Sequence, residues 1–126
     1  GLNFFYTYTK STDVSMPDED KQLIYVPFNT YSGQLSLTSR HISFFYSQSY
    51  NGKRFTLRDN SESLPSFSTG NFNVSRSFTV GKTAFNLQFD IFNIWDVEYQ
   101  SVEHRPMPGR SYSIGINFLF NNKKLQ

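Results

Sequence analysis

The sequence predicts an all-β chain folded as an antiparallel up-and-down meander of about six strands. Three observations carry that reading. Large apolar side chains recur at every second position through each segment, which is the period of a strand rather than of a helix. The 126 residues include 14 Phe and 8 Tyr, yet the hydrophobic fraction is 37% and the mean hydropathy is −0.49; bulky side chains interleaved with polar ones suit a two-faced sheet and not a buried parallel sheet or a helical bundle. The connections between segments alternate in length: long, short, long, short, long.

The first strand is expected over residues 3–10, with Phe4, Tyr6 and Tyr8 on one face and Asn3, Thr7 and Thr9 on the other. Residues 11–30 form a long loop around "MPDEDK" and "YVPFNT". The second strand, 31–38, sets Tyr31, Gly33, Leu35 and Leu37 against Ser32, Gln34, Ser36 and Thr38, and "TSRH" turns the chain. In the third, 42–50, Ile42, Phe44, Tyr46 and Tyr50 oppose Ser43, Ser47 and Ser49, with Phe45 interrupting the polar face. A second long connection runs through "NGKRFTLRDNSESLPSFSTG". The fourth strand, 71–80, carries Phe72, Val74, Phe78 and Val80, and the tight "VGK" turn uses Gly81, which is free to take positive φ. The fifth, 83–93, carries Phe85, Leu87, Phe89 and Ile91 opposite Asn86, Gln88 and Asp90. A third long loop leads to the closing strand, where Tyr112, Ile114, Ile116, Phe118 and Phe120 share a face opposite Ser111, Ser113, Gly115 and Asn117.

Composition excludes several classes. There is no cysteine, hence no disulfide framework and no thiolate chemistry. A net charge of +2 with scattered Lys and Arg gives no basic stripe for nucleic acid. No apolar run reaches the length of a transmembrane helix, but a strand in a membrane barrel shows apolar residues only at alternate positions. Short turns at one end, long loops at the other and strands long enough to cross a bilayer at a tilt therefore predict a segment of a larger transmembrane β-barrel. Its Ser, Asn, Gln and Thr rows would line water, and its Tyr-ended apolar rows would meet lipid. The alternative is a soluble antiparallel β-sheet binding module that oligomerises through its aromatic face. The density of Phe and Tyr on one face, the loop asymmetry and the lack of a helical segment to cover that face favour lipid. Arg76 falls on the apolar parity, which is acceptable near an interface where its head can snorkel.

Candidate chemistry is sparse. His41 and His104 are expected at opposite ends of the sheet, too far apart for a shared metal. The "PDED" run at 17–20 lacks the spacing and turn glycine of a calcium loop, and "GKT" at 81–83 lacks the upstream glycine of a phosphate loop. Asp90 is expected on the polar face as a solvated or Arg-paired carboxylate. No catalytic set, metal site or cofactor is expected. If a small molecule is bound, the loop holding Trp95, Tyr99, His104 and Arg105 is the expected contributor, since aromatic and Arg side chains supply rigid contact area and anion recognition. Trp95 and Tyr99 also suit an aromatic girdle at the headgroup level, and Arg105 and Arg110, flanking the stiff "PMPG" turn, suit pairing with Glu98 or Glu103.

The segments "YVPFNTYSGQLSL", "YNGKRF", "LPSFSTGNFNVS", "DIFNIWDVEYQ" and "PMPGRSYSIGINFLF", in this order and spacing, together resemble the C-terminal end of a TonB-dependent outer-membrane receptor of Gram-negative bacteria. The resemblance implies a plugged barrel of about 22 strands, of which residues 1–126 would be the C-terminal part, with the plug and earlier strands upstream of the strand-like start "GLNFFYTYTK". It implies a receptor in the cell outer membrane that binds and imports a scarce ligand of the cobalamin or ferric-siderophore class without covalent chemistry, partnered by TonB through the absent N-terminal region. In that family the terminal aromatic is often the last residue, whereas here Phe120 is followed by "NNKKLQ". A barrel has no stable edge in lipid, which gives the regular closing strand its reason: Tyr112, Ile114, Ile116, Phe118 and Phe120 would be the lipid-facing row of the seam. Severed from its neighbours, such a sheet would pair with copies of itself or close on a smaller radius.

Overall fold

The computed structural model describes residues 1–12 and 21–120. Alternating sequence becomes six long strands: β1 (Leu2–Tyr8), β2 (Asn29–Thr38), β3 (Ile42–Asn51), β6 (Phe67–Val80), β7 (Thr83–Phe92) and β10 (Ser111–Phe120). They pair antiparallel in the order β1-β2-β3-β6-β7-β10, so each long strand lies beside its neighbour in sequence among the long strands. Two small hairpins, β4 (Arg54–Phe55) with β5 (Ser63–Leu64) and β8 (Gln100–Val102) with β9 (Arg105–Pro106), sit within the second and third long loops.

The short turns fix the register. Val80 pairs with Thr83 across Gly81 and Lys82, and Gly81 takes φ 61° while Lys82 does not have positive φ, the pattern of a type II′ hairpin. At the other short turn Thr38 pairs with Ser43, Ser39 N–H donates to Ile42 O at 2.8 Å, and Ser77 N–H reaches His41 O at 3.0 Å. Gly52, just past β3, donates to Asn29 O at 2.9 Å; a side chain there would come within 2.8 Å of that same oxygen.

Register carries the apolar positions into continuous rows. One runs Leu37, Phe44, Val74, Phe89, Ile114 across β2, β3, β6, β7 and β10. Another joins Tyr6, Tyr31 and Tyr50, whose rings stack at centroid separations of 6.0 and 4.4 Å. Phe78 and Phe85 stack at 5.4 Å near the short turns. The opposite face is amide and hydroxyl: Asn73 Nδ2 donates to Asp90 Oδ1 at 2.6 Å, Gln88 Nε2 to Asp90 Oδ2 at 2.9 Å, and Asn86 Nδ2 to Ser77 Oγ at 3.0 Å. Phe45 interrupts this face, opposite Ser36 and Asn73, as its parity requires.

A sheet with one apolar face ordinarily buries it against a second layer. Here, among the described residues, the buried hydrophobic side chain is Leu64, in β5 beneath the loops, while Leu2 and Ile114 at the sheet edges are each 77% exposed. The sheet is open, with β1 and β10 as its edges.

Boundaries differ from the sequence expectation by more than one residue in three places. The first strand stops at Tyr8 instead of running to Lys10, with a last bond in the same register from Thr9 N–H to Phe28 O at 2.8 Å. The second begins two residues earlier, because Asn29 and Thr30 pair with Tyr8 and Thr7. The fourth predicted strand begins at Phe67 rather than Asn71, since Tyr50, Ser49 and Gln48 of β3 offer partners to Ser68, Thr69 and Gly70; Ser and Gly there read locally as loop.

Candidate functional site

The long connections converge at one end of the sheet and hold one another by hydrogen bonds. Gln22, 3% exposed, is the centre of the first contact. Its Oε1 accepts from Ser11 N–H at 3.0 Å and its Nε2 donates to Thr9 O and Val26 O, both at 3.3 Å. Its backbone exchanges bonds with Asn60: Gln22 N–H to Asn60 Oδ1 at 2.8 Å and Asn60 Nδ2 to Gln22 O at 2.9 Å. Tyr25 N–H reaches Phe55 O at 2.8 Å. The first and second loops are thereby joined. The "PDED" run at 17–20 lies outside the described residues.

Arg54 joins the second loop to the third. It is 5% exposed; its Nη2 donates to Pro65 O at 3.2 Å and Gln100 O at 3.1 Å, and its guanidinium lies 4.7 Å from the centre of the Phe67 ring. Phe67 stacks on Tyr99 at 4.2 Å. Burial lowers the Arg54 pKa, but arginine starts so high that the group stays charged through the working pH range. A buried cation held by carbonyl oxygens and an aromatic face is a structural clamp. Sequence reading missed it because "NGKRF" contains no signal that separates this arginine from a solvated one.

Beside that stack is a cleft of about 640 Å³, walled by Tyr99, Leu64, Pro106 and Met107 and edged by the carboxylates of Asp96 and Glu98. Its volume is in the range of small-molecule sites. Asp96 Oδ1 accepts Arg110 N–H at 2.7 Å, close enough that a side chain at Gly109 would meet that oxygen at 2.8 Å. Asn93 holds the loop's entrance: its Oδ1 accepts from Val97 N–H at 3.1 Å, its Nδ2 donates to Val97 O at 2.9 Å, and its own N–H donates to Asn71 Oδ1 at 3.1 Å.

The four residues expected to contact a ligand do not come together. Tyr99 lines the cleft. Trp95, 57% exposed, leaves it and folds over Gly70, where its Nε1 donates to Gln48 Oε1 at 2.9 Å; Tyr46 Oη donates to the same oxygen. Tyr46, Gln48 and Gly70 occupy the apolar parity, so Trp95 stands with the outward tyrosines. His104 forms the β8–β9 turn with φ 61°, its N–H bonded to Gln100 Oε1 at 2.9 Å, and Arg105 pairs with Val102 in that hairpin. Both are exposed and neither lines the cleft. Among the described residues, Arg105 and Arg110 make no ion pair with Glu98 or Glu103; Arg110 is tied through its backbone instead.

In the closing strand, Tyr112, Ile114, Ile116 and Phe118 are all exposed and pair with Ile91, Phe89, Leu87 and Phe85, while the Phe120 backbone pairs with Thr83. At the short-turn end a second concavity of about 590 Å³ is lined by His41, Ser77, Ala84, Asn86, Asn117 and Leu119, among others. Among the described residues no group of His, Cys, Asp and Glu could hold a metal ion, and no helix is long and apolar enough to cross a membrane.

No family model matches the chain and no curated protein matches it in sequence. Among solved structures the fold is similar to that of BauA, the ferric preacinetobactin receptor from Acinetobacter baumannii, with a TM-score of 0.72 at 15% identity over 91% of this chain. The match covers 19% of the receptor, so the chain spans about a fifth of that protein's length. At this identity the likeness is one of fold: the open six-strand meander is shaped like one stretch of a much longer receptor chain.

Proposed function

We propose that this chain is part of an outer-membrane β-barrel receptor of a Gram-negative bacterium, which binds and imports a scarce small ligand of the ferric-siderophore or cobalamin class with no covalent chemistry. The observation that carries the reading is the uncovered apolar face: row after row of Leu, Ile, Phe and Tyr in register, with no second layer over it among the described residues. Hydrocarbon is the solvent such a face fits. An unpaired backbone donor or acceptor in hydrocarbon costs several kcal/mol, so β1 and β10 would each pair with further strands of the parent barrel. The amide and hydroxyl face would border the aqueous interior. Likeness in fold to a receptor for a ferric siderophore supports the ligand class, and TonB would engage a region outside residues 1–126.

Within this chain the cleft beside Tyr99 is the place for ligand contact. Tyr99 and Met107 supply apolar wall, and Asp96 and Glu98 supply acceptors for a ligand's N–H or O–H groups. Arg54 keeps the two loops that form the cleft in register with each other and touches no ligand itself.

The test is spin labelling of single cysteines along β10, for which the cysteine-free chain is well suited. Reconstituted into phospholipid vesicles, labels at 114 and 116 are expected to be relaxed by oxygen, which partitions into lipid, and labels at 113 and 117 by a water-soluble nickel chelate. Equal accessibility at both parities would overturn the membrane reading and favour the soluble, self-associating module.

A further inference from the structure

We propose that Arg76, near the short-turn end, binds the phosphate of anionic phospholipid headgroups in the leaflet that this end meets. The proposal rests on the membrane reading above and names the lipid partner of one place on the sheet. Arg76 is exposed and is the charged residue in the apolar rows of the six long strands among the described residues. Its register partners are Ile42 on β3 and Leu87 on β7, and on its own strand Val74 and Phe78 stand on the same face. Among the described residues, nothing in that neighbourhood can neutralise a guanidinium.

The described acidic groups lie elsewhere. Asp59, Glu62, Asp96, Glu98 and Glu103 are in the long loops at the opposite end. Asp90 is on the other face of β7, where Asn73 and Gln88 already donate to it. At the short-turn end the described ionisable groups are the Gly1 amino group, which donates to Ser36 O, Arg40 and His41 in the β2–β3 turn, Arg76, and Lys82 in the β6–β7 turn, all exposed. Among the described residues, that end is cationic without internal compensation.

Depth selects the partner. Arg76 is two residues, about 7 Å along the strand, from Phe78, which stacks on Phe85 in a row continued by Phe118 of β10. Such an aromatic row at the short-turn end suits the headgroup boundary of a barrel. A guanidinium one row inward, on a long apolar stem, snorkels back to that boundary, and the anion it meets there is a phosphodiester. The planar donor fork of arginine matches phosphate in two-point contact, which a lysine point charge does not reproduce.

The experiment uses the full chain in phosphatidylcholine vesicles with or without phosphatidylglycerol, the retained lipid being read by native mass spectrometry after mild detergent extraction. Enrichment of phosphatidylglycerol of about fivefold is expected from the one engaged arginine, lost in Arg76→Gln and Arg76→Leu and partly kept in Arg76→Lys. Arg76→Leu completes the apolar row, so that variant is expected to insert normally while losing the preference. Free inorganic phosphate is expected to leave the enrichment unchanged; displacement by it would show a general anion site and overturn the lipid assignment. Normal insertion with equal retention of both lipids, or an Arg76→Leu variant with undiminished preference, overturns this proposal alone. Failure to insert into any vesicle overturns the membrane reading and this proposal with it.

Discussion

Gly70 shows how a single absent side chain sets a local structure. The outward indole of Trp95 and the amide of Gln48 meet over it, and a Cβ at this position would lie 2.7 Å from Trp95 Nε1 and 2.8 Å from Gln48 Oε1. Gly70→Ala is therefore expected to displace Trp95. Because Trp95 is the single tryptophan, its fluorescence reports the change directly, with loss of the hydrogen bond costing about 1 kcal/mol. Arg54 behaves differently, since removing it leaves the Pro65 and Gln100 carbonyls without their donor and Phe67 without its cation. Arg54→Ala is expected to destabilise the loop layer by about 2–3 kcal/mol, seen as faster amide exchange at 54–66 and 97–107 with the sheet amides unchanged. Trp95 and Tyr99 were legible in the sequence as loop aromatics suited either to a ligand or to a girdle. The sorting between them depends on Gly70 and Phe67, which lie some 25 to 32 residues earlier in the chain, a relation that no local pattern encodes.

Among the elements, the long strands were legible because a half-exposed sheet writes its two faces into the sequence at period two. The small hairpins were not. β4, β5 and β9 are two residues long and β8 is three, too short for any periodicity, and they exist because Arg54, Tyr99 and the Gln22–Asn60 exchange hold the loops together. The turn after β4 adds a pH dependence. Ser61 donates to Asp59 Oδ1 through both its hydroxyl, at 2.7 Å, and its N–H, at 3.1 Å, and these bonds lower the Asp59 pKa. A carboxylate whose pKa is depressed on folding stabilises the turn above its unfolded value of about 3.9, and that contribution is lost as pH falls through the lower folded value. The Ser61 amide proton resonance is expected to titrate with a midpoint below that of a free aspartate, and to be flat in Asp59→Asn.

For the whole molecule, two open edges and a bare apolar face make the solvent part of the fold. In detergent or lipid the chain is expected to sediment as a single species. Diluted below the critical micelle concentration it is expected to associate, because exposed strand edges and large apolar patches find copies of themselves; sedimentation velocity on either side of that concentration checks this. The all-β class and the strand order were legible from period and loop length together, since strands adjacent in sequence usually pair. The cleft was not, because its walls come from residues 64 and 65 of one loop and 96–109 of another.

The tether between Gly52 and Asn29 has a chemical sequel. An asparagine followed by glycine ages by attack of the glycine nitrogen on the asparagine carboxamide, through a cyclic imide to aspartate and isoaspartate. At Asn51–Gly52 that nitrogen is occupied, its proton directed at Asn29 O, and the crowding around Gly52 resists the rotation that attack requires. Deamidation at this dipeptide, followed by peptide mass mapping during storage, is expected to be slow in the folded chain and to accelerate on unfolding, so the damage there keeps a record of how often this seam has opened.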